Sequence, residues 1–339
     1  MPSITSTGIA YPTAVYSQDE VYHGLKTRRI YLDLFTSSGI TGRHLCVSPF
    51  DLPKTTAQDM HDSYRQWALE LAKRSVIACL AKKGVSPRDV DMLVYVSCTG
   101  SFESPAMSFE IAHDLGMRED IIHRNLAGHG CEGAIPGLRD AWEHSRLYPL
   151  SKIICCTTEI SHAAYHPDVD VSTGIGNAIF CDGAASYLIE DMGQSGLSML
   201  DFKEFHNYKE RHTVAMVMKD ARFKIVLPHR TSELSTPMAC RVVEEILKDG
   251  PGKESISQWI LHSGGKSILQ EASEALCLPK ENLEHSYWVW ENFGNMSSAT
   301  VGFAMNHLLD SKQLRPGDYV LMVALGAGFT GGGMLAIFT

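Results

Sequence analysis

No stretch of this 339-residue chain approaches the roughly 18 consecutive apolar residues that a bilayer span requires. Its opening, MPSITSTGIAYPTAV, lacks the basic segment and long apolar run of a signal peptide. Positive charge is in deficit: 30 Lys and Arg face 39 Asp and Glu, for a formal net charge of −9. That balance argues against a nucleic-acid partner, and no block of like charge suggests a tail. The nine cysteines are odd in number and scattered through apolar runs, with no C-x-x-C pair. A disulfide framework and a structural zinc site are therefore not expected. Low-complexity segments and long linkers are missing as well. These absences predict a cytoplasmic protein with reduced thiols and no membrane insertion.

What remains is an ordinary globular composition, 44% hydrophobic and 20% charged, in a chain long enough for two lobes or one duplicated domain. Strand-like runs alternate with helical patterns, which predicts an α/β architecture. A helix over about 62–82 precedes a strand at 91–100, and a helix starting at Cys131 precedes a strand at 151–159. The run 177–190 reads as a strand pair around a glycine turn. The second half repeats this order: a strand at 258–265, a loop entering a helix at 291–309, and a strand pair at 319–339. Spacing agrees too, with 37 residues from Val94 to Cys131 and 35 from Ile260 to Asn295. Cys131 to Ile153 and Asn295 to Tyr319 span 22 and 24. Two copies of one unit follow, divided as 1–195 and 196–339, with Cys131 and Asn295 in equivalent positions.

Three glycine-marked stretches carry candidate chemistry. In NLAGHGCEGAIPGL, Cys131 opens a helix, where free N–H groups and the helix dipole are expected to lower its pKa. Gly128, Gly130 and Gly133 allow close approach of an acyl carbonyl. Glu132 suits the positive end of that helix. HSGGKSIL sets His262 just after a strand, and NFGNMSSAT sets Asn295 before a helix. Taken singly, each has a bland reading as a buried thiol, a cap or a satisfied core group. Together they offer a thiolate to hold an acyl group and two neutral donors for an enolate oxygen.

These stretches resemble the condensing enzymes of the thiolase superfamily, ketoacyl synthase III and type III polyketide synthases. The likeness begins at SSGITGRH (37–44) and runs through GCEGAIPGL, TTEISHAAYHPD and IFCDGAAS. It resumes at HSGGKSIL and GNMSSAT and ends in GAGFTGGGM (326–334). The resemblance implies a five-layered αβαβα fold built from two duplicated halves, a homodimer, and neither metal nor organic cofactor. It implies Cys131, His262 and Asn295 as the catalytic set, with His262 and Asn295 acting on the second substrate. Phe180, Ser161 and Ser297 are expected on the cavity wall, and the backbone of Gly328 at the oxyanion. Acyl thioesters of an acyl carrier protein or coenzyme A are the implied substrates. Asp33 and Ser37 stand where ketoacyl synthase III carries a tryptophan and an arginine used on coenzyme A, which favours a carrier-bound donor for at least one half-reaction. The exposed-looking cluster Lys26, Arg28 and Arg29 could meet such a carrier.

The expected reaction is a Claisen condensation of two acyl thioesters, in polyketide, fatty-acid-like or other secondary-metabolite biosynthesis. Glu103, in the loop CTGSFESPAM, is the candidate base for an alternative, the non-decarboxylative joining of two acyl chains; otherwise it is a solvated loop carboxylate. A papain-like hydrolase also uses Cys, His and Asn in that chain order, with Asn orienting the His. A non-catalytic partner subunit would be expected to lack the nucleophile.

Overall fold

A capping box starts the long helix Ala57–Ala81: Asp59 N–H donates to the Thr56 hydroxyl, and the Asp59 carboxylate takes the Thr56 N–H. Its start lies five residues before the one expected from apolar periodicity, because the box sits on the polar first turn. The computed structural model describes residues 1–100, 104–167, 170–191, 195–228 and 230–339. Among them no helix is long and apolar enough to cross a membrane.

Nine strands form one sheet in the spatial order Ile256–Leu261, Tyr319–Gly326, Thr330–Phe338, Leu197–His206, Ser3–Ala10, Asp182–Glu190, Ile153–Ile160, Met92–Val96 and Ile122–Leu126. Two residue pairs, Ser3–Ser198 and Ile4–Leu197, join its first four strands to its last five. The two parts share one pairing scheme. Met92–Val96 runs parallel to Ile153–Ile160, which is antiparallel to Asp182–Glu190, itself antiparallel to Ser3–Ala10. Ile256–Leu261, Tyr319–Gly326, Thr330–Phe338 and Leu197–His206 repeat that series in the same senses. The duplicated halves expected from spacing are thus visible in the strand pairing.

Helices Ala134–Leu147 and Thr300–Ser311 lie between the two parts of the sheet, each between the parallel strands of its own half. Thr300–Ser311 is buried along most of its length, from Thr300 through Asn306 and at Leu308, as a helix covered on both faces must be. Ala57–Ala81 covers the outer face of one half and Thr231–Leu247 that of the other. The result is the five-layered αβαβα sandwich. Cys131 and Asn295 precede the two central helices, and duplication brings both to the same end of the sandwich.

Two local expectations need correction. Residues 177–190 are not a strand pair: Val171–Ile179 is a helix capped by Asp170, and Asp182–Glu190 is a single strand. Gly183 serves packing rather than a turn, since a Cβ there would lie 2.7 Å from Met296 Sδ. Residues 291–293 are likewise the end of a helix, Glu284–Phe293, rather than loop. Pro136 is accommodated because the α-helix begins at Ala134, which puts the proline in the first turn, where no N–H is needed.

Candidate active site

Cys131 sits in a short 3₁₀ turn, Gly130–Glu132, that runs into the central helix. Gly130 has φ of +59° and a Cβ on it would lie 2.7 Å from the Ala327 nitrogen. Glycine here lets the C-terminal GAGF turn close on the backbone next to Cys131. A cavity of about 140 Å³ opens on the cysteine. Its wall includes the expected Phe180, Ser161 and Ser297, together with Cys98, Thr99 and Ala327. The far side comes from the hairpin Ala215–Lys219 and Arg222–Val226, through Ala215, Met216, Phe223 and Ile225. Sequence reasoning missed this hairpin. Its signal was the alternation in AMVMKDARFKIV, with Asp220 and Ala221 both at positive φ in the turn.

Burial pushes the Cys131 thiol up to about 12, which overturns the lowered value expected from a helix start. The Ser297 hydroxyl and the Asn295 amide, both close to the sulfur, pull the other way, and the Glu159 charge adds to the rise. Desolvation wins. Asn295 is 2% exposed, and its side-chain oxygen accepts the Ser297 N–H at 2.8 Å and the Thr300 hydroxyl at 3.4 Å. Its NH₂ group is thereby left for the sulfur side. Main-chain bonds hold it in place: Asn295 N–H donates to Ile179 O at 3.0 Å and Cys181 N–H to Asn295 O at 2.8 Å.

His262 follows strand Ile256–Leu261, its N–H bonded to Val323 O at 2.8 Å. The ring is buried, its Nδ1 has no hydrogen-bond partner, and burial lowers its pKa to about 4. The imidazole is therefore neutral. No hydrogen bond joins His262 to Asn295 or to Cys131 among the described residues, so the His–Asn relay of a papain-like hydrolase is not formed.

Glu159 is fully buried and anchors the wall beside Cys131. It accepts from the backbone of Cys98 and Thr99, the Thr99 hydroxyl at 2.8 Å and the Ser298 hydroxyl. Glu132, read from the sequence as suiting the helix dipole, is fully buried, with no hydrogen bond to either oxygen, and burial raises its pKa to about 8 against a partial offset from the nearby Thr330 hydroxyl. Gly326 and Gly332 make room for it, since a Cβ on Gly332 would lie 2.5 Å from Glu132 Oε1. The Gly328 N–H donates to Val214 O at 3.0 Å, so that amide is not free to bind an oxyanion. Glu103 lies outside the described residues.

Cys46, His162 and Asp182 have the residue types of a metal site. They are instead closed on one another. Asp182 takes the N–H groups of Cys46 and His162 and the His162 ring at 2.7 Å, and Ser63 meets the other ring nitrogen at 2.8 Å.

An αβαβα sandwich with a cavity-facing cysteine and a buried asparagine at the heads of its paired central helices is a thiolase-fold condensing enzyme. Residues 13–222 match the model for FAE1/Type III polyketide synthase-like proteins, and residues 247–337 the C-terminal model of 3-oxoacyl-[acyl-carrier-protein] synthase III. The chain belongs to the FAE1/type III polyketide synthase-like family, acyltransferases that join acyl thioesters by Claisen condensation through a cysteine. It is 27% identical over 346 residues to 3,5-dihydroxyphenylacetyl-CoA synthase of Streptomyces toyocaensis, covering 97% of this chain and 88% of that protein. The crystal structure of 1,3,6,8-tetrahydroxynaphthalene synthase from Streptomyces coelicolor A3(2) superimposes with a TM-score of 0.93 at 22% identity, over 99% of both chains. CsyB complexed with CoA-SH gives 0.91 at 18% identity over 100% of both chains.

Proposed function

We propose that Cys131 carries the growing acyl chain of a polyketide and that Asn295 and His262 stabilise the enolate of the extender. The observation that carries this reading is the Asn295 side chain, whose oxygen is held by Ser297 and whose NH₂ faces the cysteine. Because the thiol is neutral at rest, its proton must leave as it attacks the incoming thioester. The departing pantetheine sulfur takes up that proton and leaves as the thiol. Loss of CO₂ from a malonyl-type extender then leaves an electron pair on carbon. Two neutral donors hold the enolate oxygen while that carbon attacks the Cys131 thioester and expels its sulfur.

A decarboxylating extender makes its own carbanion, so this reading requires no carboxylate base, and Glu103→Gln should leave condensation intact. Coenzyme A is favoured as the thiol carrier by the relative named for a CoA product and by CsyB, which was crystallised with CoA-SH. Lys26, Arg28 and Arg29 are exposed and suit its phosphates, as they would suit a carrier protein's phosphopantetheine. A homodimer is supported by the unpaired edge strand Ile122–Leu126, beside which Phe109, 50% exposed, stacks on His123 at 4.1 Å. We take 195/196 as the division between halves, just before strand Leu197–His206 opens the second series.

The test is mass spectrometry of Cys131 after mixing with a starter thioester, alongside product formation with an extender. Cys131→Ala should carry no acyl adduct. Asn295→Ala should acylate normally and fail to condense. An adduct persisting in Cys131→Ala would sink the assignment.

A further inference from the structure

Arg43 is 2% exposed, and among the described residues it forms no ion pair. A buried cation without a carboxylate is costly unless its donors are all met. Here they are met by the end of a helix. Nη1 donates to Ala178 O at 2.8 Å, Asn177 O at 3.1 Å and Gln18 Oε1 at 2.9 Å. Nη2 donates to Phe180 O, and Nε reaches Cys181 Sγ at 3.1 Å. Asn177 and Ala178 lie in the last turn of helix Val171–Ile179 and Phe180 and Cys181 follow it, where the dipole's negative end favours a cation. Gln18 locks the arrangement from outside, its own amide donating to Ala178 O at 2.9 Å and Ser38 Oγ at 2.7 Å.

The segment so gripped has a second partner. Ile179 O accepts from Asn295 N–H, and Asn295 O accepts from Cys181 N–H, so residues 179–181 pair with the asparagine's own backbone. Phe180, between them, lines the Cys131 cavity. A guanidinium on one side and Asn295 on the other leave this segment little freedom. Capping a helix alone would not need five contacts from one buried side chain.

We infer that Arg43 is a positioning residue for condensation: its guanidinium fixes residues 179–181 and, through them, the Asn295 amide and the Phe180 ring relative to the acyl group on Cys131. The inference rests on the role proposed for Asn295. Lysine at this position keeps the charge but cannot reach acceptors spread over Asn177, Ala178 and Phe180 at once.

The test separates the two half-reactions in Arg43→Lys, Arg43→Ala and Gln18→Leu, with Asn295→Ala as reference. Rates are normalised to folded protein by near-ultraviolet circular dichroism. Acylation of Cys131 should stay within about threefold of wild type, while CO₂ release from the extender and condensation fall about tenfold or more. Ethylguanidinium in solution should restore part of the Arg43→Ala condensation rate. A proportional fall of both half-reactions, or unchanged condensation, would show a purely structural arginine and overturn the inference. If the arginine variants do not fold, Gln18→Leu decides by the same split. If Asn295→Ala splits the reaction and the others do not, this inference alone is wrong. If Asn295→Ala itself does not split it, the role of Asn295 fails and the inference falls with it.

Discussion

The Asn295 side-chain oxygen accepts the Ser297 N–H at 2.8 Å, and that bond decides which end of the amide meets Cys131. The turn Ser297–Ala299 leads directly into the second central helix, so the polarity of the asparagine is set by secondary structure. An enolate oxygen beside the cysteine finds a donor.

Asn295→Asp tests this polarity without changing shape. The aspartate keeps the acceptor for Ser297 but presents an oxygen where the NH₂ stood. Condensation should fall roughly 10²–10³-fold, the scale expected for one oxyanion donor. Steady-state product formation checks it, and a fall of less than about tenfold would remove Asn295 from the enolate site.

The Cys131 thiol, raised to about 12 by burial, should show no thiolate plateau near neutrality. Its alkylation by iodoacetamide should therefore keep rising with pH through the range 7–10. A plateau at pH 6–7 would mean an ion pair with His262 and would contradict the neutral imidazole described here.

Much of this site was legible in the sequence because glycines punctuate it. Cys131 and Asn295 each stand beside a glycine at an element boundary, His262 stands two residues before a glycine pair, and the similar spacings of the halves paired Cys131 with Asn295. What misled was electrostatics and packing at long range. A helix start lowers a thiol's pKa only if water remains to solvate the charge, and nothing local to Cys131 reports the hairpin at 215–226 that covers it. The helix-dipole reading of Glu132 gave no sign of its burial, because that depends on Gly326 and Gly332, nearly two hundred residues away. The strand expected at 177–181 is instead the end of helix Val171–Ile179, which packs against strand Arg222–Val226, a tertiary contact that apolar patterning does not register.

Glu132 gives a stability prediction with a definite sign. Burial raises its folded pKa to about 8 from the ordinary 4.5, so the folded protein holds this proton more tightly than the unfolded chain. Stability from the group is fully present below about pH 4.5 and is lost progressively as pH rises to about 8. Glu132→Gln cannot ionise and should escape that loss. Its melting temperature relative to wild type should rise between pH 5 and pH 8, and a flat difference across that range would mean the carboxyl is already ionised in the native state.

Two glycines of the GAGFTGGG turn should behave in opposite ways. A Cβ on Gly326 would lie 2.3 Å from His129 O and 2.8 Å from Glu132 N, backbone atoms on either side of the nucleophile that cannot yield without moving Cys131. Gly326→Ala should therefore abolish most Cys131 acylation as well as costing about 1–3 kcal/mol or more from overpacking. At Gly328 the nearest atom to an added Cβ is Thr330 Cγ2 at 3.7 Å, so space is open and the strain comes only from its φ of +76°. That left-handed conformation costs an alanine roughly 1–2 kcal/mol. Because the Gly328 N–H is committed to Val214 O, its replacement touches no oxyanion donor. Gly328→Ala should thus lose some thermal stability yet acylate at close to the wild-type rate. Equal loss of acylation in both variants would return Gly328 to the reacting centre, and normal acylation in Gly326→Ala would mean the two turns do not hold Cys131 between them.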